Sequence, residues 1–181
     1  LTPELLSIMQ QAGVGYLSLS PESGSKKIRK LMNKPLNEKK LYKIQKHCKA
    51  LKIKTGICFI IGSPGENLQD ILKTTKMMAK MILYGADDIS IFIFSPLPGA
   101  PMAKKFENNF PQDYLGLCWS PKWREDYSKW AIVRNILYIQ YVILKAMFQP
   151  SSIWRHIKNI LNREFETKGE MGIGRLIANS F

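Results

Sequence analysis

Three short stretches carry side chains and backbone shapes that could do chemistry. Residues 20–25 read SPESGS. Glu22 is an anionic acceptor for hydroxyl or ammonium groups, Gly24 allows close approach of the backbone, and Ser20, Ser23 and Ser25 add hydroxyls, with Ser25 placed to cap the helix that follows. Chemistry alone divides evenly here between a ligand loop and a plain capping loop. Residues 59–66 read FIIGSPGE, with Gly62 and Gly65 around Pro64. The glycines let the chain bend sharply and come close to a flat ligand. The spacing is not a GxGxxG dinucleotide fingerprint, and no GK[ST] follows as a Walker loop requires. The plain alternative is a strand-to-helix turn in which Glu66 supports the helix dipole. Residues 91–101 read IFIFSPLPGAP, where Phe94 could stack on a purine or simply fill the core. His47 and His156 have no acid or cysteine near them in sequence, and core or surface roles are expected for both.

The elements that must position these stretches alternate regularly. Thr2 caps a helix with Pro3 in its first turn and Glu4 favouring the dipole; Leu5, Ile8, Met9 and Ala12 repeat at helical spacing, and Gly13 stops it. VGYLSLS (14–20) is a short strand and KKIRKLM (26–32) one or two helical turns. Asn37 caps a helix with Leu41, Ile44, Cys48 and Leu51 on one face. KTGICFIIG (54–62) is so continuously apolar that a strand covered on both faces is expected. Asn67 caps the next helix, with Asp70 at its third position and Gly85 ending it; DDISIFIF (87–94) is a third strand. Strands alternating with helices imply right-handed crossovers and a parallel sheet, and in such folds the loops after the strand C-termini form the ligand site. Three polar, glycine-containing exits in a row predict one shared site.

After residue 102 the character changes. Residues 103–125 are polar and irregular, with Pro111, Trp119, Pro121 and Trp123. Residues 130–148 form a strongly apolar helix that Arg134, Gln140 and Lys145 interrupt, making a buried helix the expectation over a membrane span. Residues 152–163 give a basic amphipathic helix, Ile153, Trp154, Ile157, Ile160 and Leu161 opposite Arg155, Lys158 and Arg163. It suits peripheral contact with a membrane surface, with packing on the sheet as the default. The tail from Phe165 reads as loop.

The 181 residues suffice for one domain, or one domain with an appendage. The formal charge of +13 is high, and between residues 26 and 54 Glu38 is the sole acid. That favours an anionic partner such as a nucleotide, RNA or a lipid surface, against the bland reading of a solvated helix face. Cys48, Cys58 and Cys118 are odd in number and lack CxxC spacing, which argues against a disulfide framework and for a reducing, cytoplasmic compartment. Cys48 and Cys58 are expected in the core.

Taken in order, ELLSIMQQAGVGYLSLSPESGSKKIRKLMNKPL, FIIGSPGENLQDILKTT and FSPLPGAPM resemble the fourth, fifth and sixth strand regions of the radical S-adenosylmethionine (SAM) superfamily, with Ala100 where threonine is usual. ILYIQYVILKAMFQPSSIWRHIKNIL (136–161) is similar to the C-terminal helices of the cobalamin-binding subclass, which includes the anaerobic magnesium-protoporphyrin IX monomethyl ester cyclases. The resemblance implies an α/β fold: an incomplete parallel (β/α) barrel over residues 1–105, the last three strands of a (β/α)6 barrel, then an α-helical C-terminal extension over 106–181. It implies SAM and a [4Fe–4S] cluster as cofactors, cobalamin for the subclass, and hydrogen abstraction by a 5′-deoxyadenosyl radical. It assigns Glu22 and Ser20 to the ribose or methionine end of SAM, Ile61, Gly62, Phe94 and Pro96 to the adenine side, and Ser23, Gly24, Pro64 and Gly65 to the cofactor site without a fixed partner.

One departure is serious: the superfamily's CxxxCxxC cluster motif does not occur here. The cluster ligands and first three strands are expected in a missing N-terminal part of the same protein. The chain also starts on a helix cap, as if cut inside a larger domain. A fragment inactive alone, with an uncovered sheet edge and poor solubility, is the expectation. Other readings stand beside it: a non-catalytic basic module holding RNA or an acidic partner, and a broken gene product. The substrate, small molecule or RNA, is left open by the fold.

Overall fold

A computed structural model describes residues 1–97, 99, 102, 104, 106, 110 and 121–178. Cys118, Trp119, Pro111, Pro98 and Ala100 lie outside the described residues. The order is α1 (Pro3–Gln11), β1 (Tyr16–Glu22), α2 (Lys26–Leu31), α3 (Glu38–Ala50), β2 (Lys54–Ile61), α4 (Leu68–Leu83), β3 (Asp88–Ile93), a 3₁₀ turn (Pro121–Trp123), α5 (Tyr127–Phe148), α6 (Pro150–Asn162) and α7 (Lys168–Ala178). The three strands form one parallel sheet in the order β1-β2-β3. Register pairs Leu19 with Ile57, and Ile57 with Ile89, so all three strands end along the same edge.

The caps read from the sequence form. Thr2 Oγ1 accepts from Leu5 N–H, and Asn37 Oδ1 from Lys40 N–H. Asn67 and Asp70 make a reciprocal capping box at α4. Ser25 is different: it occupies the N-cap of α2, but its hydroxyl turns to Asp70 Oδ1 at 2.7 Å instead of to the helix.

Strand alternation decides where the core sits. Leu19, Ile57, Phe59, Ile61, Ile89, Ile91 and Ile93 point to one face and pack on Met77, Met78, Met81 and Ile82 of α4 and on Trp130 and Leu137 of α5. Burying one such side chain stabilises by about 1.5–3 kcal/mol, so this layer carries the fold. The other face is barely covered among the described residues. Ser18 and Ser20 are exposed, Cys58 and Ile60 half-buried, and Phe92 is 56% exposed. β2 is therefore covered on one face, not two. Cys58 sits on the open face beside Ser18, 3.4 Å away, rather than in the core; Cys48 is fully buried as expected.

Two other expectations change. The helix at 130–148 is half-buried, not buried: Trp130, Leu137 and Lys145 turn inward while a full outward stripe stays exposed. The tail from Phe165 contains α7, opened by a capping box in which Thr167 Oγ1 accepts from Glu170 N–H and Glu170 Oε2 from Thr167 N–H.

The free edge of β3 is capped from α5: Ile91 N–H donates to the Tyr138 hydroxyl at 3.0 Å. At the opposite end from the strand exits, Asp87 gathers the extension onto the sheet. Its carboxylate accepts from Thr55 N–H and Arg155, and its carbonyl from Lys145. His156 joins Glu170 at 2.5 Å just beyond. Burial pulls the Lys145 ammonium down to about 8, against the raising influence of Asp87.

Candidate functional site

The common edge is built from three exits and two cross-ties. At the exit of β1 the chain turns within three residues: Ser23 N–H donates to Pro21 O at 2.8 Å, with Glu22 between them at φ 65°. A non-glycine residue in that region is strained, by about 1–3 kcal/mol, and such strain gathers where a side chain must be aimed. The Glu22 carboxylate, 12% exposed, lies 3.5 Å from Lys34 Nζ. Ser20 beside it is exposed.

The next residues face α4. Ser23 Oγ lies 3.2 Å from Thr74 Oγ1, and Gly24 N–H donates to the same oxygen at 3.0 Å. A Cβ on Gly24 would stand 2.2 Å from Lys73 O, so the close approach this glycine permits is to the backbone of α4. Ser25 and Lys27 converge on Asp70, Lys27 at 2.5 Å, and Lys27 also donates to Gly65 O at 2.9 Å. Burial alone would raise the Asp70 carboxyl; Lys27, Ser25 and the Asn67 N–H outweigh it and hold the group below its ordinary range. The loop after β1 is thus stitched to the loop after β2.

At the exit of β2, Gly62 has φ 80° and a Cβ there would meet the Trp130 ring at 2.9 Å. Gly62 N–H and Ser63 N–H both donate to Glu66 Oε2, at 2.6 and 3.2 Å. Glu66 Oε1 and Ser63 Oγ are buried with no partner among the described residues. Burial pushes the Glu66 carboxyl up to about 7 against those two donors.

The second cross-tie is Arg124, from the turn before α5. Its buried guanidinium donates to Gly62 O at 3.0 Å and to Phe94 O at 2.6 Å, and meets Asp126 at 2.7 Å. Asp126 also accepts from Trp130 Nε1. Phe94 is half-buried, its ring centroid 6.3 Å from that of Phe106.

The predicted residues therefore separate. Ser20, Glu22, Pro64, Gly65 and Phe94 share the edge with surface to offer. Gly62 offers only its turn, both backbone groups being bonded. Ile61 is a core side chain whose carbonyl accepts from Phe94 N–H, and Pro96 is buried. Ser23 and Gly24 face α4. Sequence reading missed Ser63, Glu66 and Arg124 as parts of the edge; the PGE turn was the available signal for Glu66, and nothing near Arg124 advertised it.

The edge fits an adenosyl ligand in one respect that the structure itself supplies: two orphaned buried polar atoms, Glu66 Oε1 and Ser63 Oγ, in a turn whose glycine brings the backbone close. A cluster does not fit. Among the described residues no three His, Cys, Asp or Glu side chains come together to hold a metal.

Comparison with known proteins bears on this edge. Residues 1–78 match the Radical SAM superfamily model. The tRNA-2-methylthio-N(6)-dimethylallyladenosine synthase of Deinococcus radiodurans is 31% identical over 97 residues, 51% of this chain and 18% of that protein. The protein of the same name from Escherichia coli is 35% identical over 104 residues, 56% of this chain and 20% of its own length. The chain thus spans a fifth or less of these relatives. A solved structure, coproporphyrinogen III oxidase from Escherichia coli, described as a radical SAM enzyme, superposes with a TM-score of 0.53 at 20% identity, covering 74% of this chain and 29% of that one. The fold is that of a partial parallel (β/α) barrel with a helical extension.

Proposed function

We propose that this chain supplies the last three βα units of a radical SAM iron–sulfur enzyme, and that its strand exits hold one side of SAM. The observation that carries the reading is Glu22: a carboxylate at the strand exit, in a strained backbone conformation, on the same edge as the orphaned oxygens of Ser63 and Glu66. Ser20 and Glu22 accept from the ribose hydroxyls or the methionine ammonium, and Phe94, Pro64 and Gly65 flank the adenine. Ile61, Gly62 and Pro96 set the shape of that side, and Ser23 and Gly24 support Glu22 from behind. Bound here, and given an electron from the cluster, SAM would supply hydrogen-atom abstraction. The [4Fe–4S] cluster takes its ligands from polypeptide outside this sequence. Cobalamin is proposed on the likeness of residues 136–161 to that subclass alone. Free thiols at Cys48 and Cys58 support a cytoplasmic location.

Calorimetric titration with SAM tests this. Glu22→Gln is expected to weaken binding at least fivefold with an unchanged melting curve. Absence of binding, or equal binding by the variant, contradicts the reading.

A second reading, a basic module for RNA, is supported by Lys26, Lys27, Lys73, Lys76 and Lys80 around a cavity of about 370 Å³ between α2, α3 and α4. It predicts single-stranded RNA affinity falling steeply with salt. A flat salt profile removes it.

A further inference from the structure

We propose that the outward faces of α5, α6 and α7 form a docking surface for an anionic lipid bilayer, on which the protein lies without crossing it. The starting point is α5. Ile132, Ile136, Ile139, Ile143 and Met147, at helical spacing, are each at least 50% exposed, while the inward face packs on the sheet and α4. A helix apolar all round belongs inside a protein or in lipid. Here its second face meets nothing among the described residues.

The next helices continue the surface. α6 shows Trp154 (73% exposed), Ile157 and Leu161, and α7 shows Ile173 and Ile177. Val142, Ile157 and Ile173 line one cavity of about 480 Å³ beside Tyr138 and Lys145, so the three helices meet at the inner border of these stripes.

Charge selects the occupant. Lys158 lies beside Trp154 and Leu161 at helical spacing, Arg163 and Arg175 line a pocket with Ile177, and none of these three cations is in an ion pair among the described residues. Of the nearby acids, Glu166 is engaged by Lys54 and Arg155 and Glu170 by His156, which leaves Glu164 as one exposed carboxylate against the cations. A cationic fringe around exposed Trp, Ile and Leu is the pattern of helices lying in the headgroup plane of anionic membranes. A second copy of the chain fits less well, because it would bring like charges face to face.

The inward contacts explain why α5 lies on the bilayer although it is long and apolar enough to cross one. Lys145 is buried and donates to the carbonyls of Ala86 and Asp87, and Tyr138 caps the edge of β3. Crossing would break these bonds and carry an ammonium into hydrocarbon.

The proposal is independent of SAM binding. It is tested by flotation of the 181-residue chain with phosphatidylglycerol–phosphatidylcholine vesicles and with pure phosphatidylcholine vesicles. Partition onto anionic vesicles is expected, at least tenfold weaker on neutral ones and weakened by salt. Trp154→Ser with Leu161→Ser should lower partition at least tenfold, and Lys158→Glu with Arg163→Glu should abolish the preference for anionic lipid, with far-ultraviolet circular dichroism unchanged in both. Failure to float, equal partition onto both vesicle types, variants that bind like the parent, or a concentration-dependent dimer that masks the Trp154 stripe would overturn it.

Discussion

Glu66 holds one carboxylate oxygen against two backbone N–H groups and leaves the other buried without a partner. Burial raises its carboxyl to about 7 in the folded chain, above the ordinary glutamate value near 4.3. Between those values the folded state binds more protons than the unfolded state, so stability falls as pH rises from about 4.5 to about 7 and then levels off. Glu66→Gln removes that titration. Its unfolding free energy relative to the parent should therefore shift by about 2–3 kcal/mol in its favour between pH 4 and pH 8, read from urea melts at the two pH values. A constant difference would place the carboxyl in its ordinary range. Sequence made Glu22 and the two glycines of the GSPGE turn legible as candidates. It could not show that Glu22 takes a positive φ, or that the carboxyl of Glu66 folds back onto its own turn, because the first goes with the packing of Ser23 and Gly24 on α4 and the second with a turn that Arg124 holds through Gly62.

The loop after β1 and the start of α4 behave as one unit. Ser23, Gly24, Ser25 and Lys27 on one side meet Thr74, Asp70, Lys73 and Gly65 on the other. Gly24→Ala forces a methyl against the Lys73 carbonyl, a backbone atom that cannot step aside, and should cost about 3 kcal/mol. Gly65→Ala meets open space and only the penalty of its φ of 77°, about 1–2 kcal/mol. Denaturant melts of the pair check this; equal costs would mean that the loop does not press on α4. The helices and strands through residue 94 were readable because caps, glycine stops and apolar spacing agreed with the final packing. α7 was missed although TKGE at residues 167–170 spells a capping box, since its three glycines, Gly169, Gly172 and Gly174, argue against helix on propensity.

Among the described residues, helices pack on one face of a three-stranded sheet, and the other face and the outward side of α5 are left largely bare. Sequence periodicity indicated which residues are apolar, not which apolar faces have neighbours. That is why β2 was expected to be covered twice and α5 fully buried. The bare sheet face carries Ser18, Ser20, Cys58, Ser90 and Phe92, and above it stand the three exits. The central claim is that this edge binds an adenosyl ligand, and amide chemical shifts of the labelled chain titrated with SAM test it most directly. Shifts confined to residues 20–22, 62–66 and 94–96 are the predicted result. Shifts centred on the cavity by His156 and Glu170 at the far end of the strands, or none at all, would contradict it.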